Sequence, residues 1–195
     1  MDMRLPAVRL ILAGAALLLT GLLLWWLVPV DSAVHHAALL ARQGWAVRPA
    51  RWLSALGGLT GMGPIALVAV ALLVWRGPRG TGLWLLFTLA SGRLVVEGIK
   101  LIVQRPRPPL ADRLESVTSW SFPSSHSAGT MMTCIALAAL WRRPAGWWGA
   151  CLLAAAVGWS RIALGVHWPS DVLAGWGFGL LWIGAALRWK PPLRR

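Results

Sequence analysis

Apolar runs of about 20 residues recur along this chain with only short connections between them, and a run of that length matches the hydrocarbon thickness of a bilayer. Runs at about 7–28, 54–75, 81–103, 124–141, 145–160 and 169–189 read as helices of this kind. Backbone inside hydrocarbon must satisfy its own hydrogen bonds, so runs in this number predict an all-α, polytopic bundle of six transmembrane helices. Hydrophobic residues make up 57% of the chain, charged residues 13%, and the mean hydropathy is +0.64, far more apolar than a soluble domain. The runs follow one another too closely to leave a separate soluble core, so residues 1–195 read as a single transmembrane domain.

The first run follows Arg4 and Arg9 and is trailed by Ser32 and Ala33, the outline of a secretory signal. Its apolar length of about 19 residues exceeds a signal core of about 7 to 15, so an uncleaved span is expected. The chain has 15 tryptophans and no tyrosine. Trp25, Trp26, Trp75, Trp84, Trp141, Trp147, Trp148 and Trp189 fall near the ends of runs, as interfacial belts do, and not along one basic groove for stacking bases. Cys134 and Cys151 lie inside runs without a zinc-site spacing and read as small buried hydrophobes.

A formal charge of +13 would suit nucleic acid, but its distribution points elsewhere. Arg4 and Arg9, Arg76 and Arg79, Arg142 and Arg143, and Arg188, Lys190, Arg194 and Arg195 occupy the first tail, alternate short loops and the far end. That is the positive-inside pattern, which places both termini in the cytoplasm of a bacterial-type inner membrane. The partner is then the membrane and not nucleic acid. The connections carrying Arg107 and Arg161 to Asp171 fall together on the opposite, outer face.

Three short stretches on that face carry chemistry. Lys100 sits about one turn before Pro106 and Pro108 forbid further helix, and the 104–109 stretch becomes a stiff arm carrying Arg107. On one unbroken helix, Lys100 and Arg107 would stand two turns apart; the break lets both meet one anion. Pro123-Ser124-Ser125-His126 opens the fourth run, where free amides and the helix dipole attract an anion. Ser124 or Ser125 alone would read as a helix cap. Arg161 follows the fifth run, and His167 and Asp171 stand four positions apart around Pro169, a spacing that lets a carboxylate orient an imidazole.

Ordered and spaced in this way, the stretches resemble the three signature motifs of the type 2 phosphatidic acid phosphatase superfamily, which includes membrane lipid phosphatases and soluble vanadium haloperoxidases. The resemblance runs from Lys100 to Asp171, with Ser125 standing where glycine is commoner. It implies that His167, oriented by Asp171, attacks phosphorus, and that His126 protonates the departing oxygen before activating water. Lys100, Arg107, Ser124, Ser125 and Arg161 would bind the phosphate. Three fixed cations can take the place usually given to magnesium, and the scattered acids Asp2, Asp31, Glu97, Asp112, Glu115 and Asp171 form no divalent-ion cluster, so neither metal nor cofactor is expected.

The expected substrate is a lipid phosphate or diphosphate: undecaprenyl diphosphate, phosphatidic acid or phosphatidylglycerophosphate. An intramembrane serine hydrolase using Ser124 or Ser125 is an alternative, but no Gly-x-Ser-x-Gly elbow appears and the cations lose their role. A transporter or scaffold with basic cavities is another, and it leaves the His167–Asp171 pairing unexplained. Arg93 and Glu97, four apart in the third run, read as structural support. The 31–51 connection, with His35, His36 and Trp45, has the composition of an interfacial helix over a lipid entrance.

Overall fold

A computed structural model describes residues 4–141 and 143–189, and every regular element among them is helical. The order is α1 (Arg4–Trp26), α2 (Val28–Ala38), α3 (Val47–Gly57), α4 (Leu59–Arg76), α5 (Arg79–Val103), a 3-10 turn (Leu110–Asp112), α6 (Ser125–Trp141), α7 (Pro144–Ala163) and α8 (Pro169–Trp189). Six of these, α1 and α4 to α8, occupy the six apolar runs. By length and apolarity alone, three described helices could cross a bilayer: Pro6–Trp26, Leu59–Arg76 and Pro169–Trp189. The cationic positions Arg142, Lys190, Arg194 and Arg195 lie outside the described residues.

Small residues set the packing. Without a hydrophobic drive between helices in lipid, close van der Waals approach holds them together. α1 lies along α8 on a seam of Gly14, Gly21, Gly177 and Gly184, where a Cβ on Gly177 would stand 2.5 Å from the Leu18 amide. The first run is thus an integral wall of the bundle. α6 and α8 form its centre: Ala128, Met132, Ile135 and Ile183 are buried, while Leu12, Leu19 and Leu23 on α1 face outward.

Three features differ from the sequence reading. The run at 54–75 is not one helix, because Gly58 adopts an extended conformation (φ −73°, ψ 175°) that ends α3 and starts α4. Ser54 therefore belongs to α3, whose Val47, Ala50, Ser54 and Gly57 recur at helical spacing on its buried face. The 31–51 connection, expected as one interfacial helix, is divided between α2 and α3. The fifth run continues past residue 160, so Arg161 sits in the last turn of α7 and not beyond it.

Candidate active site

The α7–α8 connection is a five-residue turn made possible by Gly165 at φ +70°, where a Cβ would also stand 2.2 Å from the Asp112 carbonyl oxygen. It presents His167, whose amide donates to the Arg161 carbonyl at 3.2 Å. Asp171, in the first turn of α8, accepts the Trp168 amide at 3.0 Å, the returning half of a capping box. The carboxylate that closes the helix start also faces His167 Nδ1 at 3.3 Å.

The proton on this imidazole can be placed. Arg107 Nη1 lies 3.1 Å from Nε2 and can only donate. Complete burial, with the charges of Arg107, Arg161 and Lys100, holds the His167 pKa well below 6.5, so the ring is neutral. Its proton therefore sits on Nδ1, directed at Asp171, and the lone pair on Nε2 is turned toward the cations.

Those cations are fixed in advance. Gln104 caps α5 in the left-handed region (φ 48°), breaking the helix one turn after Lys100. Lys100 Nζ is buried and donates to the carbonyl of Trp120 at 2.5 Å. Arg107 donates from Nε to the Ser119 carbonyl at 2.6 Å, from Nη1 to the Val166 carbonyl at 2.5 Å, and from Nη2 to the Trp120 carbonyl at 3.2 Å. Burial, with the neighbouring Arg161 charge, brings its pKa down to about 10, which leaves it cationic near neutrality. Arg161 is buried against Glu115 (2.7 Å) and the Ser54 hydroxyl, and its Nε makes no hydrogen bond.

At the start of α6, Ser124 does what an isolated cap would do. Its Oγ accepts the Ser127 amide at 3.3 Å and lies 3.0 Å from the Ser127 hydroxyl. The Ser125 hydroxyl donates to Glu97 at 2.8 Å. First-turn amides have no intrahelical acceptor, so the Ser125 and His126 N–H groups are the donors that α6 offers an anion. His126 is half-buried beside Gly58, where a Cβ would approach its Nε2 to 3.1 Å.

The sequence reading missed several supporting residues. Arg105 is only 8% exposed and donates to Asp171 Oδ1 (2.6 Å), the Ser170 hydroxyl (2.6 Å) and Asp31 (2.8 Å). Its guanidinium stacks 4.8 Å from the Trp25 ring and 5.6 Å from the Trp168 ring. Ser121 donates to Asp171 Oδ2 at 2.5 Å, filling the carboxylate that orients His167. Glu115 pairs with Arg161. Arg105 stands one proline away from the recognised Arg107, and Asp31 is one of six acids in a very basic chain, which is the signal that could have exposed both.

Known proteins similar to this chain are phosphatases. Phosphatidylglycerophosphatase B of Bacillus subtilis is 31% identical over 165 residues, covering 77% of this chain and 78% of that protein. An undecaprenyl-diphosphatase of Sulfolobus acidocaldarius is 30% identical over 118 residues, covering 57% of this chain and 56% of that protein. The crystal structure of a transmembrane PAP2-type phosphatidylglycerolphosphate phosphatase from Bacillus subtilis superposes with a TM-score of 0.77 at 25% identity, covering 100% of this chain and 99% of that one. The family profile of the PAP2 superfamily matches residues 81–195, a span that holds both histidines, Asp171 and every cation around them, and the chain belongs to that superfamily.

Proposed function

We propose that this protein is a membrane phosphatase that hydrolyses a lipid phosphate or diphosphate without a metal, through a phosphohistidine on His167. One observation carries the reading: a neutral imidazole with Nδ1–H on a buried carboxylate and its Nε2 lone pair directed among fixed cations. Nε2 attacks phosphorus as the bond to the leaving oxygen breaks. His126 gives that oxygen a proton, then takes one from the water that cleaves the P–N bond and releases inorganic phosphate. Lys100 and Arg107 hold the non-bridging oxygens; the unpaired Nε of buried Arg161 and the Ser125 and His126 amides supply further donors. Asp171 does not move. It stabilises the positive charge that grows on the ring.

A serine hydrolase is less well served. Ser124 caps α6, Ser125 donates to Glu97, and the hydroxyl nearest His167, that of Ser121 at 3.5 Å from Nδ1, donates to Asp171. The reading places the site on the outer face of an inner membrane with both termini inside. Purified protein in detergent with excess chelator should release phosphate from a prenyl or glycerolipid phosphate. His167→Ala should abolish release, and orthovanadate should inhibit the unaltered protein. Turnover retained by His167→Ala would remove the proposed nucleophile.

A further inference from the structure

Arg93 is a cation that the mechanism above leaves unused. It stands seven residues before Lys100 on α5, on the same helix face and about 10 Å farther from the cradle along the axis. Its Nη2 pairs with Glu97 at 3.0 Å, but its Nη1 reaches only the Ser125 carbonyl, at the 3.5 Å limit of a hydrogen bond. That nitrogen lies 3.9 Å from where a Cβ of Gly129 would be, so it crosses α6 one turn below His126 on the same face.

Arg93 also lines a cavity of about 430 Å³ between α4, α5 and α6. The walls are apolar, with Met62, Leu89 and Met132 among them, and Arg93 is the lone charged residue. Gly58 lines the cavity, and a Cβ there would press on His126 Nε2. The cavity therefore reaches the residue packed against the imidazole assigned to the leaving group and continues along apolar walls, as a prenyl chain requires.

We propose that Arg93 binds the lipid-proximal phosphate of a prenyl diphosphate whose terminal phosphate occupies the Lys100–Arg107–Arg161 cradle, so that the enzyme favours diphosphates over monophosphate esters. The inference rests on the lipid-phosphatase reading. His167 Nε2 bonds to the terminal phosphorus, and the bond from that phosphorus to the bridging oxygen breaks. The electron pair stays on the bridging oxygen, which takes the proton of His126 and becomes part of a prenyl monophosphate. Water then attacks the phosphohistidine, its proton passes to His126, and inorganic phosphate leaves with His167 restored. A diphosphate thus leaves behind a charged phosphate beside Arg93, whereas a monoester leaves an alcohol that a cation cannot hold.

The test compares kcat/KM for farnesyl diphosphate and for phosphatidic acid in detergent micelles. In Arg93→Gln the ratio of the two should fall roughly 10–100-fold, the share of one charged hydrogen bond, and Arg93→Lys should restore part of it. The double variant Arg93→Gln with Glu97→Gln leaves no unpaired carboxylate and should show the same fall in ratio if the single variant folds poorly. Equal losses on both substrates, or an unchanged ratio, would overturn the assignment of Arg93. Failure of the unaltered protein to hydrolyse either lipid would instead overturn the phosphatase reading itself.

Discussion

Replacing Asp171 by asparagine tests the core of the mechanism while changing almost no volume. The carboxylate accepts from four donors: Arg105 Nη1 at 2.6 Å on Oδ1, and Ser121 Oγ at 2.5 Å, the Trp168 amide at 3.0 Å and His167 Nδ1 at 3.3 Å on Oδ2. An asparagine keeps one acceptor, so its carbonyl oxygen will face the three donors and its NH2 will face Arg105. The ring then keeps its orientation and loses its counter-charge. For a unit charge on the imidazole 3.3 Å from the carboxylate oxygen, an effective dielectric constant of about 20 gives roughly 5 kcal/mol. That charge exists only once Nε2 has begun to bond phosphorus, so the loss falls on the transition state and kcat should drop about 10³–10⁴-fold. KM should change by less than about threefold, because the phosphate meets the cations and not Asp171. Phosphate release in micelles with chelator gives both constants, and tryptophan-detected thermal unfolding reports whether the protein is intact. A folded Asp171→Asn protein within tenfold of the original kcat would refute the role given to the carboxylate.

Arg105→Met should be mainly a folding defect. It strands the buried carboxylates of Asp31 and Asp171 without their shared cation, and about 3–5 kcal/mol of stability should be lost in a detergent unfolding series. Gly58→Ala should lower kcat about tenfold with little change in thermal midpoint, since the backbone there suits alanine but the new Cβ would displace the His126 ring. Stability should fall on acidification below about pH 6.5: burial holds His35 and His167 neutral in the fold, while the unfolded chain protonates both, so the unfolded state binds more protons. A denaturant midpoint that stayed constant from pH 7 to pH 5 would contradict that sign.

What the sequence discloses follows from local rules. Pro106 and Pro108 end α5 wherever it packs, and a His–Asp pair four apart at a helix start meets whatever surrounds it. The residues that escaped notice act at long range. Asp31 and Arg105 are separated by 74 positions, and Ser54 and Glu115 by 61, so nothing in either neighbourhood announces a partner. The break at Gly58 escaped for a different reason. Hydropathy runs unchanged across 54–75, and only the packing of Gly57 and Gly58 against α6 and α7 shows why the helix must end there. Charge would have been the better guide: a chain with six acids and 19 lysines and arginines can neutralise few buried cations, and Asp31, Glu115 and Asp171 each mark one.

The partners of the cations divide them by task. Arg105 is enclosed by two carboxylates, which cancel its charge and leave a rigid joint between α2, the 104–124 connection and α8. Lys100 and Arg107 are held instead by backbone carbonyls of Ser119, Trp120 and Val166, dipoles that fix a direction without cancelling charge. On the proposed mechanism, a phosphate arriving between them meets two uncompensated cations already oriented, and little reorganisation remains for the moment of bond transfer. Arg161 lies between these cases, with one carboxylate on Nη1 and an unpaired Nε. Glu115 holds the side chain still and takes part of its charge, so it should weaken phosphate binding and hasten product release. In Glu115→Gln, therefore, inorganic phosphate should inhibit at lower concentration than in the unaltered protein, and a higher inhibition constant would show that Glu115 serves Arg161 only as an anchor.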